Sequence, residues 1–492
     1  LPELKHLDAV EIEPAVLDVV RACHAVNQNV LENPKVQVHL ADAREVLLTT
    51  PSRYDLVFSE PSNPYRAGVA SLFTQEFYRA VKQRLKPGGV FVQWVQGYEI
   101  DARSVRIIYA TLSSVFGSVE SWRTDHNDLA LIASDGLQSM DAQSMRKRLA
   151  GEPFKTALAT AWRTKGLEGA LAHYVARPSF AKQVAKDAGP LLINSDDRNL
   201  LEFALARAMG REHDFSVEDV RRVAMAQGAD RPAELLTSAD IDWSAVADAY
   251  ISMGIAVGAS SPFVLDWPDA SPAQRRRRDA QQAWVDRRPR NVLAAWAAQN
   301  EGPQNPVQRL VLADAHAQLG RAEEAIPLLD DLAKTYPAEA LMIEAKLHLA
   351  RGKPQLAITP FGRSLELLRK QPWSNYELIK RSLPGVSLAL ARQSPELAAK
   401  LAGLLAKPLS AHVHDDRRRR LRFELAMRSG DHTLCAQALE DLEPHVPRRR
   451  QFLEQRVDCY RRNANPRLAV ALLELNEFLR SAPEPFSPKT MP

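Results

Sequence analysis

Cysteine is scarce: Cys23, Cys435 and Cys459 are the three in 492 residues. Their spacing makes no metal-ligand set and no evident disulfide framework, which fits a reducing compartment. Long apolar runs are also lacking. No stretch approaches the roughly 18 residues needed to span a bilayer, and no secretory leader pattern is present. Charge of one sign is lacking too, since 64 basic and 60 acidic residues leave a net +4. The pI near 8.8 therefore implies no nucleic-acid partner. No metal site is visible. His24, His173 and His316 are isolated and read as structural or surface groups. Apolar content of 45% and charged content of 25% are ordinary for globular protein, and the length predicts roughly two to four domains.

The first part of the chain alternates short apolar runs with helical patterns. Strands are expected over 7–12, 36–40, 54–59, 90–95 and 129–133, and helices over 14–27, 43–48, 74–85 and 102–116. Pro14 suits a first helical turn, where its missing N–H is no loss. Lys86-Pro87-Gly88-Gly89 is a strong helix stop. The alternation predicts an α/β fold with a largely parallel sheet. Residues 138–190 read as helical and polar. Asn194-Ser195-Asp196-Asp197-Arg198 forms a second short motif ahead of an apolar run over 200–206. Residues 211–304 read as a helical connector, with loop chemistry around 260–272.

From about residue 305 the composition shifts to Ala, Leu and Arg. Gly320 is followed five residues later by Ala325, and Gly352 five residues later by Ala357, with Pro337 between. The pairs lie 32 residues apart, close to the 34-residue period of tetratricopeptide repeats. Residues 305–485 are therefore expected to form tetratricopeptide-like helical hairpins, with Ser429-Gly430 before Cys435 a weaker copy. The basic runs 275–278 and 417–420 have acidic neighbours, Asp279, Asp415 and Asp416, and read as solvated helix faces.

Acidic or polar residues fall at successive strand ends: Glu11 and Glu13, then Asp42, then Glu60 and Asn63 in Ser59-Glu60-Pro61-Ser62-Asn63-Pro64-Tyr65. Ligands of open α/β sheets sit beyond the carboxyl ends of the strands, and an acid after the second strand accepts hydrogen bonds from ribose hydroxyls. Glu13 also reads as a helix N-terminal acid. Asp42 reads equally as a cap of the next helix. Asp196, Asp197 and Arg198 read either as a local salt-bridged turn or as part of an amine pocket. The chain opens at Leu1 on a strand pattern, so a strand with a glycine-rich loop is expected upstream of it.

Six pieces in this order resemble the spermidine synthase family of class I methyltransferase-like folds. They are Val10-Glu11-Ile12-Glu13, Ala41-Asp42-Ala43, Ser59-Glu60-Pro61-Ser62-Asn63-Pro64, Ser71-Leu72-Phe73, Pro87-Gly88-Gly89-Val90 and Asn194-Ser195-Asp196. The resemblance covers roughly residues 5–207. It is greatest to bacterial members in which the domain follows a membrane region and precedes helical repeats. It implies a Rossmann-like sheet lacking its first strand over 1–210. It also implies a site on the cytoplasmic side, with an inner-membrane anchor upstream of the chain. Glu11 would bind the ribose of decarboxylated S-adenosylmethionine, a co-substrate, and Asp42 its adenine amino group, with Ser59 beside them. Glu60 stands where the family has its catalytic aspartate. Asn63 stands where the family has a second aspartate that grips the amine, with Tyr65 and Asp196 on the same side.

Aminopropyl transfer is attack by an amine on the carbon beside a sulfonium. An amine with a pKa near 10 is mostly protonated at neutral pH, so a carboxylate must take a proton, and carboxylates also attract a polycation. Glu60 is one methylene longer than aspartate, and Asn63 brings neither base nor charge. Two other readings stand beside this one. The first is an S-adenosylmethionine-dependent methyltransferase. The second is a pseudoenzyme that holds a protein partner on its repeats. The acceptor amine, the partner and the oligomeric state stay open.

Overall fold

The computed structural model describes residues 3–64, 66, 68–125, 127–136, 139–204, 206, 215–232, 236–237, 241–256, 270–299, 301–443 and 445–481. Tyr65 and most of the loop expected at 260–272 lie outside them.

Two compact units divide between Tyr250 and Ile251. In the first, strands β1 (Leu7–Glu11) and β2 (Val36–Leu40) pair in parallel as a separate two-stranded sheet. A five-stranded sheet follows, made of β3 (Tyr54–Ser59), β4 (Leu85–Gln96), β5 (Ser118–Asp125), β6 (Asp128–Ser134) and β7 (Tyr174–Ala176), in the order β3-β4-β6-β5-β7. Only β3 and β4 pair in parallel there; the other pairs are antiparallel. The expected largely parallel sheet is thus mixed. The cause is the shortness of the connection between Asp125 and Asp128, because so few residues can join only antiparallel strands.

Helices α1 (Pro14–Ala22), α2 (Ala43–Thr49), α3 (Gln75–Arg84) and α4 (Ala102–Ser113) follow the predicted pattern, with Thr74 and Asp101 as side-chain caps. The first helix is shorter than expected: a break at Cys23 leaves a separate turn, His24–Asn27, ended by left-handed Gln28 and Asn29. In Lys86-Pro87-Gly88-Gly89, Gly88 has a φ of +75°, and a Cβ on Gly89 would stand 2.9 Å from the Lys86 oxygen. Glycine is needed there to let β4 run beside β3.

The core of this unit lies between α3, α4, α5 (Pro178–Ala188) and the five-stranded sheet, around Phe77, Tyr78, Phe91 and Phe116. Residues 138–190 are not simply helical, since β7 is buried at all three positions within them. The first sixty residues contribute little core. Among the described residues before Asn63 none is fully buried, and Leu56 and Phe58 on β3 stand about half exposed. The link from β1 to β3 is polar: the Tyr54 hydroxyl donates to Asp8 at 2.9 Å.

The second unit is all-α. Helix α6 (Val217–Ala226) belongs to the first unit, and α7 (Trp243–Ala256) crosses the division. Then come α8 (Pro272–Val285), α9 (Pro289–Ala297), α10 (Pro306–Gln318), α11 (Ala322–Ala333), α12 (Pro337–Ala350), α13 (Pro354–Leu368), α14 (Tyr376–Ala391), α15 (Pro395–Leu404), α16 (His412–Ser429), α17 (His432–Glu440), α18 (Arg450–Arg462) and α19 (Leu468–Ser481). Many open on proline, whose fixed φ suits a first turn. Gly320, Gly352 and Gly430 turn between paired helices at φ near +70°. Ala325, Ala357 and Cys435, five residues on, are buried where helices meet. Pro384 sits inside α14 and leaves the Lys380 carbonyl without its helical donor; the Arg417 guanidinium donates to it at 3.2 Å.

Two expectations are corrected here. Cys435 and Cys459 are joined as a disulfide between α17 and α18. Their sequence spacing carried no sign of it because helix packing brings them together. The basic runs are not solvated faces throughout. Arg277 is buried against Glu301, and Arg418 is buried against Asp415 and Asp441. Among the described residues no helix is long and apolar enough to cross a membrane.

Candidate active site

The parallel pairing of β1 and β2 brings the first two acidic positions together. The Ala41 N–H donates to the Glu11 carbonyl at 3.0 Å, so the chain leaves both strands side by side. One Glu11 carboxylate oxygen accepts from the Glu13 N–H at 2.8 Å. Glu13 caps α1 by accepting from Ala15 N–H at 3.0 Å, in line with its reading as a helix N-terminal acid. Asp42 caps α2 through one oxygen, 2.7 Å from Arg44 N–H. In Glu11 and in Asp42 the second oxygen has no protein donor among the described residues. Two open acceptors at adjacent strand ends suit the paired hydroxyls of a ribose and an amino group beside it. Capping by Asp42 does not compete with such a role, because the two use different oxygens.

β3 ends at Ser59, whose carbonyl is 3.5 Å from the Gln93 amide nitrogen on β4. Glu60 follows, exposed and without a partner among the described residues. Asn63 is buried, and its carbonyl accepts from Arg66 N–H at 3.0 Å, closing the turn. Its side-chain amide is directed at Glu99, with 3.5 Å between the Asn63 nitrogen and a Glu99 carboxylate oxygen. Glu99 lies just past the end of β4, in a left-handed conformation at φ +54° that few non-glycine residues adopt. Such backbone is concentrated at functional sites. The sequence reading passed over Glu99. The available signal was its position two residues after Gly97, at the next strand end along the same edge.

Two further groups went unread. The side chains of Gln93 and Gln96 on β4 are buried, and both polar atoms of Gln96 and the oxygen of Gln93 lack a partner. A buried amide without partners costs about 1–3 kcal/mol. These amides sit at the carboxyl end of β4, beside the Ser59–Asn63 turn, with this hydrogen-bonding capacity unused.

The motif at 194–198 is placed differently. Asn194 is fully buried: its amide donates to the Phe73 carbonyl at 3.1 Å, its side-chain oxygen accepts from Leu200 N–H at 2.6 Å, and its own N–H donates to Thr111 at 3.0 Å. It pins the loop that carries Ser71, Leu72 and Phe73. Asp196 receives a two-pronged bond from Arg44 at 2.8 and 2.6 Å, and this guanidinium also reaches the Ser71 carbonyl. Those bonds hold the Asp196 carboxyl below the usual carboxylate range, against partial burial. Arg198 donates to the carbonyls of Leu191 and Ile193, so the motif is not a turn closed by its own charges. The structure thus ties Asp196 to Arg44 in the first turn of α2. No hydrogen bond among the described residues links it to Glu60. Tyr65 lies outside the described residues.

Asp8, at the opposite end of β1, is a different case. Burial raises its pKa, and hydrogen bonds from His39, Tyr54 and His6 outweigh that and lower it. It ties β1 to β3 away from the strand ends.

Residues 1–124 match the family model described as the spermine/spermidine synthase domain. Among curated proteins, the polyamine aminopropyltransferase of Nitrosomonas europaea is 28% identical over 122 residues, covering 25% of this chain and 37% of that protein. The polyamine aminopropyltransferase of a Synechococcus species is 34% identical over 111 residues, covering 21% and 36%. The chain thus spans well under half the length of these relatives. Among solved structures, spermidine synthase from Thermotoga maritima is 20% identical, with 37% of this chain and 60% of that one covered and a TM-score of 0.29. Human methyltransferase-like protein 13 in complex with SAH is 23% identical, with 26% and 60% covered and a TM-score of 0.22. The opening quarter of the chain, which carries Glu11, Asp42, Ser59, Glu60 and Asn63, is spermidine synthase-like in sequence.

Proposed function

We propose that the protein transfers an aminopropyl group from decarboxylated S-adenosylmethionine to a polyamine or diamine. The observation that supports this most is the family match over the segment that holds all the strand-end acids. Glu11 and Asp42 hold the nucleoside through their open oxygens, beside Ser59. Glu60 receives the proton of the attacking ammonium. The freed nitrogen lone pair then forms a bond to the methylene carbon next to the sulfonium. The carbon–sulfur bond breaks, and its electron pair stays on sulfur as a neutral thioether. Asn63 carries no charge, and Glu99 beside it replaces the second anion that grips the far ammonium. Arg44 holds Asp196 away from that task, so Asp196 is a positioning residue on the nucleoside side.

The test is incubation of the full-length protein, including the glycine-rich segment expected upstream of Leu1, with decarboxylated S-adenosylmethionine and a panel of amines, and with methylthioadenosine as the measured product. S-adenosylmethionine is run in parallel. Glu60→Gln is expected to lower turnover by about 10²–10⁴, the range for loss of a general base. Glu99→Gln is expected to raise the KM for the amine, with a smaller effect on kcat. Methyl transfer from S-adenosylmethionine without methylthioadenosine production would replace this reading with a methyltransferase. No product from any amine would favour a pseudoenzyme. For the helical unit, the left-handed glycines and the buried small residues five positions on support tetratricopeptide-like packing. An experimental structure in which α14 and α15 do not stack as the pairs before them do would refute it.

A further inference from the structure

A cavity of about 380 Å³ opens in the helical unit, where α10, α12 and α14 pack in succession. Trp284 near the end of α8 and Arg287 in the turn after it line one side. The volume is within the range of small-ligand sites, roughly 300–1,000 Å³.

Its polar surroundings are unequal in charge. Asp314 is buried and already saturated: it accepts from the Trp284 indole at 2.8 Å, from the Gln318 amide at 2.8 Å, and from Lys346. Lys346 spends one of its three donors there. Arg381 is held by Glu377 and by the Trp284 carbonyl at 2.9 Å, and Glu377 also pairs with Lys380. The Arg287 guanidinium has no acceptor among the described residues. Among the charged residues that line the cavity, Arg287, Lys346 and Arg381 thus stand against Asp314, and with Glu377 on Arg381 counted as well an excess of positive charge remains.

Two features mark this space as more than a packing gap. Ser382 lines it, is 2% exposed, and its hydroxyl has no hydrogen-bond partner. A buried hydroxyl normally finds one, within its own helix if nowhere else. Gly385 also lines the cavity, within α14, where glycine lowers helix stability relative to alanine. A Cβ there would meet nothing within 4 Å, so packing does not demand a glycine. Its effect is to leave the cavity open. Leu349, Leu378 and Val386 form the apolar part of the wall.

We propose that this cavity binds a carboxylate that carries a short branched apolar group, either as a free acid or as the end of a polypeptide. Arg287 supplies the planar donor pair that matches a carboxylate. Lys346 adds charge, the Ser382 hydroxyl donates the buried hydrogen bond, and the leucine and valine side chains take the apolar group. This site is independent of the aminopropyl-transfer reading.

Calorimetry on the intact chain tests it with three probes: N-acetyl-Gly-Ser-Leu as the free acid, the same peptide as its C-terminal amide, and 4-methylpentanoate. The free-acid peptide or 4-methylpentanoate is expected to bind with a dissociation constant of about 1 mM or tighter, and the amide at least about tenfold more weakly. Equal affinity of the two acids assigns the ligand as a free acid. A tenfold preference for the peptide assigns a polypeptide end. Arg287→Glu should weaken binding about tenfold or more, and Gly385→Leu should abolish it by filling the space, with the circular dichroism of both variants unchanged. Absence of binding by both acids to the folded protein overturns the proposal. So does equal binding of acid and amide, or full affinity in folded Gly385→Leu.

Discussion

Replacing Glu120 by glutamine should stabilise the α/β unit at alkaline pH and leave it unchanged in acid. Glu120 lies on β5 opposite Ile132 of β6, is 5% exposed, and makes no ion pair among the described residues. Burial pushes its carboxyl from 4.5 up to about 7. Between those two values the folded chain binds this proton and the unfolded chain does not. Stability is therefore greatest below about 4.5, falls as pH rises through the window, and has lost its full amount above about 7. The rise from 4.5 to about 7 corresponds to about 3 kcal/mol. Glutamine keeps the shape and cannot ionise. The variant should match the parent at about pH 4.5 and exceed it by about 3 kcal/mol at about pH 8.5, a rise in Tm of roughly 6–12 °C for a unit of this size. Urea unfolding at both values, followed by hydrogen exchange in peptides of β5 and β6, isolates this unit from the helical one. Parallel pH profiles for variant and parent would refute the reasoning.

The disulfide between Cys435 and Cys459 closes a loop of 24 residues, so Cys459→Ser should lower the stability of the helical unit by about 3 kcal/mol. Denaturation with and without reductant measures it, and three free thiols in the unreduced protein would show that the bond is absent. The β1–β2 pair, with no fully buried residue, should exchange its amides far faster than β4, β5 and β6. Equal protection in hydrogen-exchange mass spectrometry would contradict the exposure seen at Leu7 and Leu40.

The α/β pattern was legible because its signals are local. Apolar runs, Pro14 at a first helical turn and the Lys86–Gly89 stop each act within a few residues, and β2 and β3 fall where the sequence puts them. What failed depends on distant packing. β5 is mostly buried, yet Glu120 and Arg123 interrupt its apolar pattern, so alternation gave no strand there. β7 is three residues long, too short for periodicity. Arg277 and Arg418 looked solvated because a run of arginines carries no mark of which members meet a carboxylate on another helix.

The candidate site shows the same division at closer range. Glu11, Asp42 and Glu60 could be placed at strand ends because a strand end is a sequence position. Asn63 was read as a lost charge because only residues near it in the chain were compared with it. The pairing of β3 with β4 changes that comparison, since the loop beside Asn63 in space is the one after Gln96, and Glu99 comes with it. A carboxylate can move from one loop to the next without altering what an ammonium meets, provided both loops leave adjacent strands on the same edge. An asparagine that donates to a neighbouring carboxylate also fixes which way that carboxylate points. Under the proposed aminopropyl-transfer reading, the departure at Asn63 is therefore weak ground against an amine site, and the decisive variant is at Glu99 rather than at Asn63.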